Sequence, residues 1–339
     1  MTKVHEKIAE VLASIDKKSH NHLTLASDIS IERIETPSIG LTNALNGGWG
    51  TGRQVLIWGP KSAGKSTFCM AQIGIAQRQG KTCAYFDVEK TFDPLWAEAQ
   101  GVDTNALIYS STGTITALVN DAVALMKAGV DVLVVDSITA LMPASYVDED
   151  GELKDFEKTG AIGGLSRGLS AALSQLNYAN NNTLLILVSQ TRMAQKGSMY
   201  WGMAPTGGES VKFYSSQVVK LYSSEGGANI IEGEIVLGDK IIKRPIGRKV
   251  TYSVEWNKLG PQGTSGEYNL YFAGDSVGID NFGEILTIGV EKGIIRKAGA
   301  WYYLGEEKIG QGEIKAAATL RSNPEMFERI KRGIYDDGE

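Results

Sequence analysis

The stretch Gly59-Pro60-Lys61-Ser62-Ala63-Gly64-Lys65-Ser66, followed by Thr67, constrains this chain more than any other. It has the spacing G-x-x-x-x-G-K-[ST], follows a β-rich run and opens a helical one, the context in which that spacing has a mechanism. The glycines let backbone N–H groups turn inward around phosphate oxygens. The positive end of the helix beginning near Gly64 strengthens the cradle. Lys65 is placed to reach the β- and γ-phosphates of a nucleotide, and Ser66 to offer its hydroxyl to Mg²⁺. A chance glycine-rich loop has no reason to carry these flanks.

The surrounding pattern says what fold carries the loop. Between about 50 and 222, strands are predicted over 54–58, 82–87, 106–110, 130–135, 183–189 and 217–222. Helices are predicted between them over 65–79, 94–100, 114–128 and 164–179. Val132-Leu133-Val134-Val135 and Leu184-Leu185-Ile186-Leu187-Val188 are apolar without alternation, as strands buried on both faces are. An α/β fold with a mostly parallel central sheet follows. Beyond 222, turn signals at Gly226-Gly227 and over 260–266 predict antiparallel strands. The C-terminal stretch reads as helix 281–293, strand 301–304 and a mostly helical 311–332. At the other end, Val4, Ile8, Val11, Leu12 and Ile15 form a helical stripe that needs a surface, on this chain or on a neighbouring subunit. The expected division is an N-terminal oligomerisation helix and linker over 1–31, a nucleotide-binding core over 32–268 and a small α+β unit over 269–339.

Composition removes some classes. A chain of 339 residues, 42% hydrophobic and 22% charged, can bury a core without a disulfide or structural metal. Glycine reaches 40 residues, above the usual share of about 7%, which suits tight turns beside ligands. A net charge of -5 gives no global attraction to a phosphate backbone, so any nucleic-acid site must be local. Cys69 and Cys83 form no CxxC pair and read as small buried residues of a reducing compartment. His20 and His22 lack an acidic or thiol partner at ligand spacing and read as solvated beside a helix end. No apolar run approaches the roughly 20 residues that cross a bilayer. The N-terminus lacks a signal-peptide core, so a cytoplasmic location is expected.

Two carboxylates are candidates for the reaction. Asp136 ends the buried run 132–135 and would bind Mg²⁺ through water, although a helix cap would occupy the same position. Glu89 follows Tyr85-Phe86-Asp87-Val88 and projects from the carboxyl edge of a strand, where ligands of parallel sheets bind. Asp87 is the alternative, and a solvated surface Glu is the plainer reading.

The run from Ala84 to Pro94, A-Y-F-D-V-E-K-T-F-D-P, together with V-D-V-L-V-V-D-S at 130–137, resembles the bacterial RecA recombinases. The same holds for L-L-I-L-V-S-Q-T-R-M at 184–193, T-G-G-E-S-V-K-F-Y at 206–214, K-A-G-A-W-Y at 297–302 and G-E-E-K-I-G-Q-G at 305–312. The likeness covers about 32–332. It implies ATP as the nucleotide, with Glu89 polarising the attacking water and Gln190 sensing the γ-phosphate for the loop beyond it. It also implies that Asp93 contacts the adenine and Trp96 stacks on it.

The family binds ATP between subunits of a helical filament, so Lys258 would act on a neighbour's phosphates. Trp256 stands where a second such lysine is expected, which weakens the case for subunit-coupled hydrolysis. Single- and double-stranded DNA would meet two loops. The first, 147–167, carries Asp148, Glu149, Asp150, Glu152, Asp155 and Glu157, so Arg167 is its better contact. The second, 191–213, carries Arg192, Met193, Lys196, Met199, Tyr200, Gly207, Gly208 and Lys212. That mixture of cations, flat apolar side chains and glycines suits a grip on phosphates and bases; a lid over the nucleotide is compatible with it.

The resemblance implies a DNA-dependent ATPase that polymerises on single-stranded DNA and drives homologous pairing and strand exchange in recombination and repair. Two alternatives are a ring-forming helicase motor of the same core fold and a filament scaffold that binds ATP and DNA but barely hydrolyses.

Overall fold

Strands that are apolar on both faces need partners on both edges and helices above and below, and this chain supplies both. The computed structural model describes residues 3–16, 25–148, 152–154, 164–196, 200–223, 229–237, 240–274 and 277–336. It divides into two compact units, 1–32 and 33–339. In the first, helix α1 (Lys3–Asp16) carries Val4, Ile8 and Val11 exposed along its stripe. His20 and His22 lie outside the described residues, as does the side chain of Ile15.

The second unit opens with β1 (Arg33–Ile34), α2 (Ile39–Ala44) and β2 (Trp49–Gly50). Strands and helices then alternate: β3 (Arg53–Gly59), α3 (Lys65–Arg78), β4 (Cys83–Asp87), α4 (Pro94–Ala99), β5 (Leu107–Ser110), α5 (Ile115–Ala128), β6 (Val132–Asp136) and α6 (Gly164–Ala179). Next come β7 (Leu184–Lys196), β8 (Tyr200–Pro205), α7 (Glu209–Tyr214) and β9 (Gln217–Tyr222). An antiparallel run follows, β10 (Ile230–Leu237), β11 (Lys240–Asn257), β12 (Ser265–Tyr271) and β13 (Gly278–Ile279). The C-terminal elements are α8 (Asn281–Glu291), β14 (Ile295–Ala298), β15 (Trp301–Leu304), β16 (Glu307–Gln311), α9 (Glu313–Ser322) and α10 (Pro324–Tyr335).

The large sheet runs in the order β13-β12-β11-β9-β3-β7-β6-β4-β5. From β9 to β5 every neighbouring pair is parallel. The fold is therefore α/β with a mostly parallel central sheet and a small antiparallel C-terminal sheet, β14-β15-β16. Side chains of β3 divide between its faces. Val55 and Ile57 share a core with Phe68, Cys69 and Ile73 of α3. Leu56 and Trp58 share the other core with Leu118 and Ala122 of α5 and Leu173 and Leu176 of α6. Cys69 and Cys83 are free and buried, and burial pushes the Cys83 thiol up to about 12. Among the described residues no helix is long and apolar enough to cross a membrane.

Two elements differ from expectation. The strand predicted to stop at 189 continues through Gln190 to Lys196, because β8 pairs with its far half from Thr191↔Pro205 to Lys196↔Tyr200. The helix predicted over 311–332 breaks at Asn323, whose side chain caps α10 ahead of Pro324. A proline starts a helix readily but cannot continue one.

The C-terminal elements have their own core around Ile285, Leu286, Leu320 and Ile330. A buried carboxylate joins it to α2. Glu284 of α8 accepts hydrogen bonds from Ser38 Oγ (2.5 Å), the Ile39 amide (2.9 Å) and the Gly40 amide (3.0 Å). It thereby caps the start of a helix on the other core. Lys331 and Glu35 add an ion pair at 2.5 Å. Burial raises the Glu284 pKa to about 7, against the pull of those donors. A folded pKa above the unfolded one means this stability is fully present below about pH 4 and lost as pH rises through 7. In E284Q, the fall in unfolding free energy between pH 4 and 8 should shrink by on the order of 3 kcal/mol, from a shift of roughly two to three units. Urea unfolding at both pH values measures it, and parallel wild-type and E284Q profiles would refute the assignment.

Candidate nucleotide-binding site

The functional residues gather where the parallel strands end. Gly59, the last residue of β3, lies in register with Gln190 of β7. The backbone there is crowded: a Cβ on Gly59 would sit 1.9 Å from the Leu221 carbonyl oxygen. The chain then turns through Ser62 at φ 59° and Gly64 at φ 83° before α3 begins at Lys65. A Cβ on Gly64 would lie 2.7 Å from Leu270 Cδ2. The side-chain-free surface of the loop is thus a requirement of packing as well as of a phosphate's approach.

Lys65 is buried and its ammonium donates to the carbonyls of Gly59 (3.0 Å) and Pro60 (2.7 Å). Burial lowers its pKa, opposed by Asp136 and Glu89. Asp136 closes β6, buried, and accepts from the Tyr85 hydroxyl at 2.7 Å. Burial raises the Asp136 pKa, against hydrogen bonds from Ser66 and Tyr85 and the Lys65 charge. Among the described residues no cluster of three or more His, Cys, Asp and Glu forms a metal site. A Ser66 hydroxyl beside Asp136 nonetheless fits Mg²⁺, which takes few protein ligands and completes its shell with water and phosphate.

Glu89 follows β4, exposed. Its Oε1 accepts from Ser137 Oγ at 2.6 Å and from Gln190 Nε2 at 2.7 Å. The amide of Gln190 donates to Thr139 Oγ1 at 3.0 Å. Asp87, the alternative, is buried and otherwise engaged: it accepts from the amides of Thr91 and Phe92 and from the Tyr109 hydroxyl. Asp87 therefore shapes the loop that presents Glu89.

A cleft of about 460 Å³ is lined by Lys61, Ser62, Gly64, Lys65, Ser66, Thr67, Glu89, Trp96, Asp136 and Gln190, with Arg248, Leu270 and Phe272. Trp96 Nε1 donates to Thr67 Oγ1 at 3.2 Å, which holds the indole beside the loop. Asp93 caps α4, accepting from the Leu95 and Trp96 amides. Ala63, within the loop, is buried. Arg248, Leu270 and Phe272 were not expected from sequence, because β11 and β12 reach the loop only through the sheet.

Lys258 is not among the residues lining this cleft. Its ammonium donates to the Phe213 carbonyl at 3.1 Å, on a face where Phe213 is 74% and Trp256 46% exposed. Arg167 is exposed on α6. Arg192 is exposed on the β7–β8 hairpin, and the cross-strand pair Met193↔Met203 turns both side chains outward. Gly207 and Gly208 follow at φ 95° and 72°. The Lys212 ammonium is bound to Glu255 at 2.8 Å and lies 4.9 Å from the Trp58 ring centre. Met199 lies outside the described residues, as do the side chains of Lys196 and Tyr200. Of the acidic loop, Val147 and Leu153 pair in an antiparallel bridge, while 149–151 and 155–163, with Glu149, Asp150, Asp155 and Glu157, lie outside the described residues.

A parallel sheet, a glycine-turned loop at a helix start, and a buried lysine and a buried carboxylate beside it define a nucleotide-binding α/β protein. Residues 3–259 match the family model of the RecA N-terminal domain and residues 283–337 that of the RecA C-terminal domain. The chain belongs to the RecA family. Its loop should be intolerant of a methyl group at Gly59: G59A should cost about 2 kcal/mol or more, since the added carbon meets backbone. G80A is the control, with φ 75° but nothing within 4 Å of an added Cβ; it should cost about 1 kcal/mol from backbone strain alone. Equal melting temperatures for the two variants would contradict the packing argument.

Proposed function

We propose that this chain is a DNA-dependent ATPase that assembles on single-stranded DNA as a helical filament and drives homologous pairing with double-stranded DNA. The observation that carries the reading is the junction at Gln190. That side chain holds Glu89, while its own strand runs on without interruption into the β7–β8 hairpin that bears Arg192 and Met193. A γ-phosphate arriving beside Lys65 would compete for Gln190, so occupancy of the cleft would be felt at the hairpin's base.

In this reading Lys65 and the loop amides hold the phosphates, Ser66 and Asp136 hold Mg²⁺, and Glu89 orients the attacking water. Asp93 and Trp96 set the base, and a neighbouring subunit's Lys258 stabilises developing charge. Arg167, Arg192, Met193, Lys196, Met199, Tyr200, Gly207, Gly208 and Lys212 form the DNA surface. The exposed stripe of α1 docks on an adjacent subunit. The match to a C-terminal RecA domain favours this over a ring-forming helicase, and the scaffold reading turns on turnover.

ATP turnover with and without single-stranded DNA tests the proposal. Stimulation by DNA that weakens as salt rises is expected; no stimulation at any salt concentration counts against it. E89Q should lower turnover about a hundredfold or more while keeping nucleotide and DNA binding. Open helices under electron microscopy, rather than closed rings, complete the case.

A further inference from the structure

Arg248 is placed by the sheet, not by the loop it touches. Within β11 it pairs with Ile230 of β10 on one edge and Leu270 of β12 on the other, so its backbone is fixed from both sides. Its cross-strand neighbour Leu270 packs on Gly64, and Arg248 Nη1 donates to the Ser62 carbonyl at 2.7 Å. Ser62 is one of three non-glycine residues with positive φ among the described residues. That conformation is costly enough to need an external hold. The β11–β12 wall thus leans on the phosphate loop at 62 and again at 64.

The side chain also lines the cleft itself, together with Lys61 and Lys65. Among the described residues Ser62 O is its hydrogen-bond partner, and no carboxylate is paired with it. The next residue, Lys249, is committed to Glu267 at 3.2 Å. A guanidinium carries five N–H donors in a planar fork that matches two phosphate oxygens at once. One bond to Ser62 orients that fork without exhausting it.

We propose that Arg248 is a polyphosphate-binding residue, a cation that β11 contributes in cis to a bound nucleoside di- or triphosphate. The inference rests on the reading of this cleft as a nucleotide site and adds to it a charge that the loop motif does not contain. Held by Ser62, the fork gains charge-assisted bonds to the ligand while also bracing the loop that provides the amides.

The test is equilibrium titration of the full-length chain, wild type, R248Q and R248K, with MgADP by calorimetry, and displacement of ADP by inorganic tripolyphosphate. R248Q should weaken ADP about tenfold or more and tripolyphosphate by a similar factor, the loss of a charge-assisted contact. R248K should recover part of both, since an ammonium keeps charge and loses the fork. Melting curves of the ligand-free proteins establish that each variant is folded. If R248Q melts below the assay temperature, R248K carries the test, and wild-type affinity in R248K then overturns the proposal. In a folded R248Q, unchanged ADP affinity overturns it, as does weakened ADP with an unchanged tripolyphosphate dissociation constant derived from the displacement, which would mark Arg248 as a brace. Wild type that binds no MgADP would instead bring down the nucleotide reading, and this proposal with it.

Discussion

The site depends on one close approach: the backbone of Gly59 against the carbonyl of Leu221. β3 is flanked by two parallel partners, β9 and β7, and it ends level with Gln190 on one side while Leu221 of β9 crowds it on the other. The chain must leave the sheet there without a side chain. Once it does, the next residues have to turn through the left-handed region, and α3 begins with its amide groups facing the space just vacated. Buried there, Lys65 bonds the loop's own carbonyls, those of Gly59 and Pro60. The cradle is a consequence of where β3 stops.

Electrostatics follow from that burial. Lys65 and Asp136 are both pushed toward neutrality by desolvation, and each is held back by the other. Neither makes a direct ion pair with the other among the described contacts; Tyr85 and Ser66 hold Asp136, and two carbonyls hold Lys65. Carbonyl oxygens are weaker partners for an ammonium than phosphate oxygens are, because a phosphate adds the attraction of an opposite charge where a carbonyl offers only its dipole. The lysine is therefore parked where it is satisfied but easily exchanged. Asp136 is likewise placed at a strand end with a hydroxyl between it and the loop, an arrangement suited to a hard cation that retains water.

Much of this was legible in the sequence because strands buried on both faces leave an unmistakable apolar run. β9 and α6 coincide with the predicted 217–222 and 164–179, and the other elements of the parallel half differ by a residue or two at their ends. The exception is β7, whose second half is polar and mixed. Nothing in Thr191-Arg192-Met193 signals a strand until β8 is there to pair with it, and pairing is a tertiary event. The same limit hid Arg248 and Leu270, which meet Ser62 and Gly64 across 186 and 206 residues of chain. Glu284 was invisible for a related reason: a glutamate on an apolar helix face reads as solvated until the amides of Ile39 and Gly40 arrive. Asp87 and Glu89 could not be told apart by spacing, since both leave the same strand end. Only the hydrogen bonds separate them, three inward for Asp87 and two across the cleft mouth for Glu89.

Trp58, the residue immediately before Gly59, ties the loop to the opposite face. Its indole is buried and donates Nε1–H to Glu255 at 3.0 Å, while Lys212 and Lys220 lie 4.9 and 5.0 Å from its ring centre. No other side chain combines an edge N–H donor with so broad a π face, so phenylalanine there would strip Glu255 of a donor and tyrosine would have to place its hydroxyl elsewhere. Glu255 reaches this position by ordinary alternation along β11: Tyr252 and Val254 pack into the core on the α3 face, so Glu255 faces the other way, toward Trp58. A bulge between Val254 and Trp256 then breaks the alternation that would return 256 to the face of Val254, and Trp256 lies exposed beside Phe213 and Lys258. One strand thus anchors Trp58, the residue before the phosphate loop, and past its bulge adds Trp256 to the surface formed by Phe213 and Lys258. The two share a single carboxylate, so neither can be remodelled without disturbing the other.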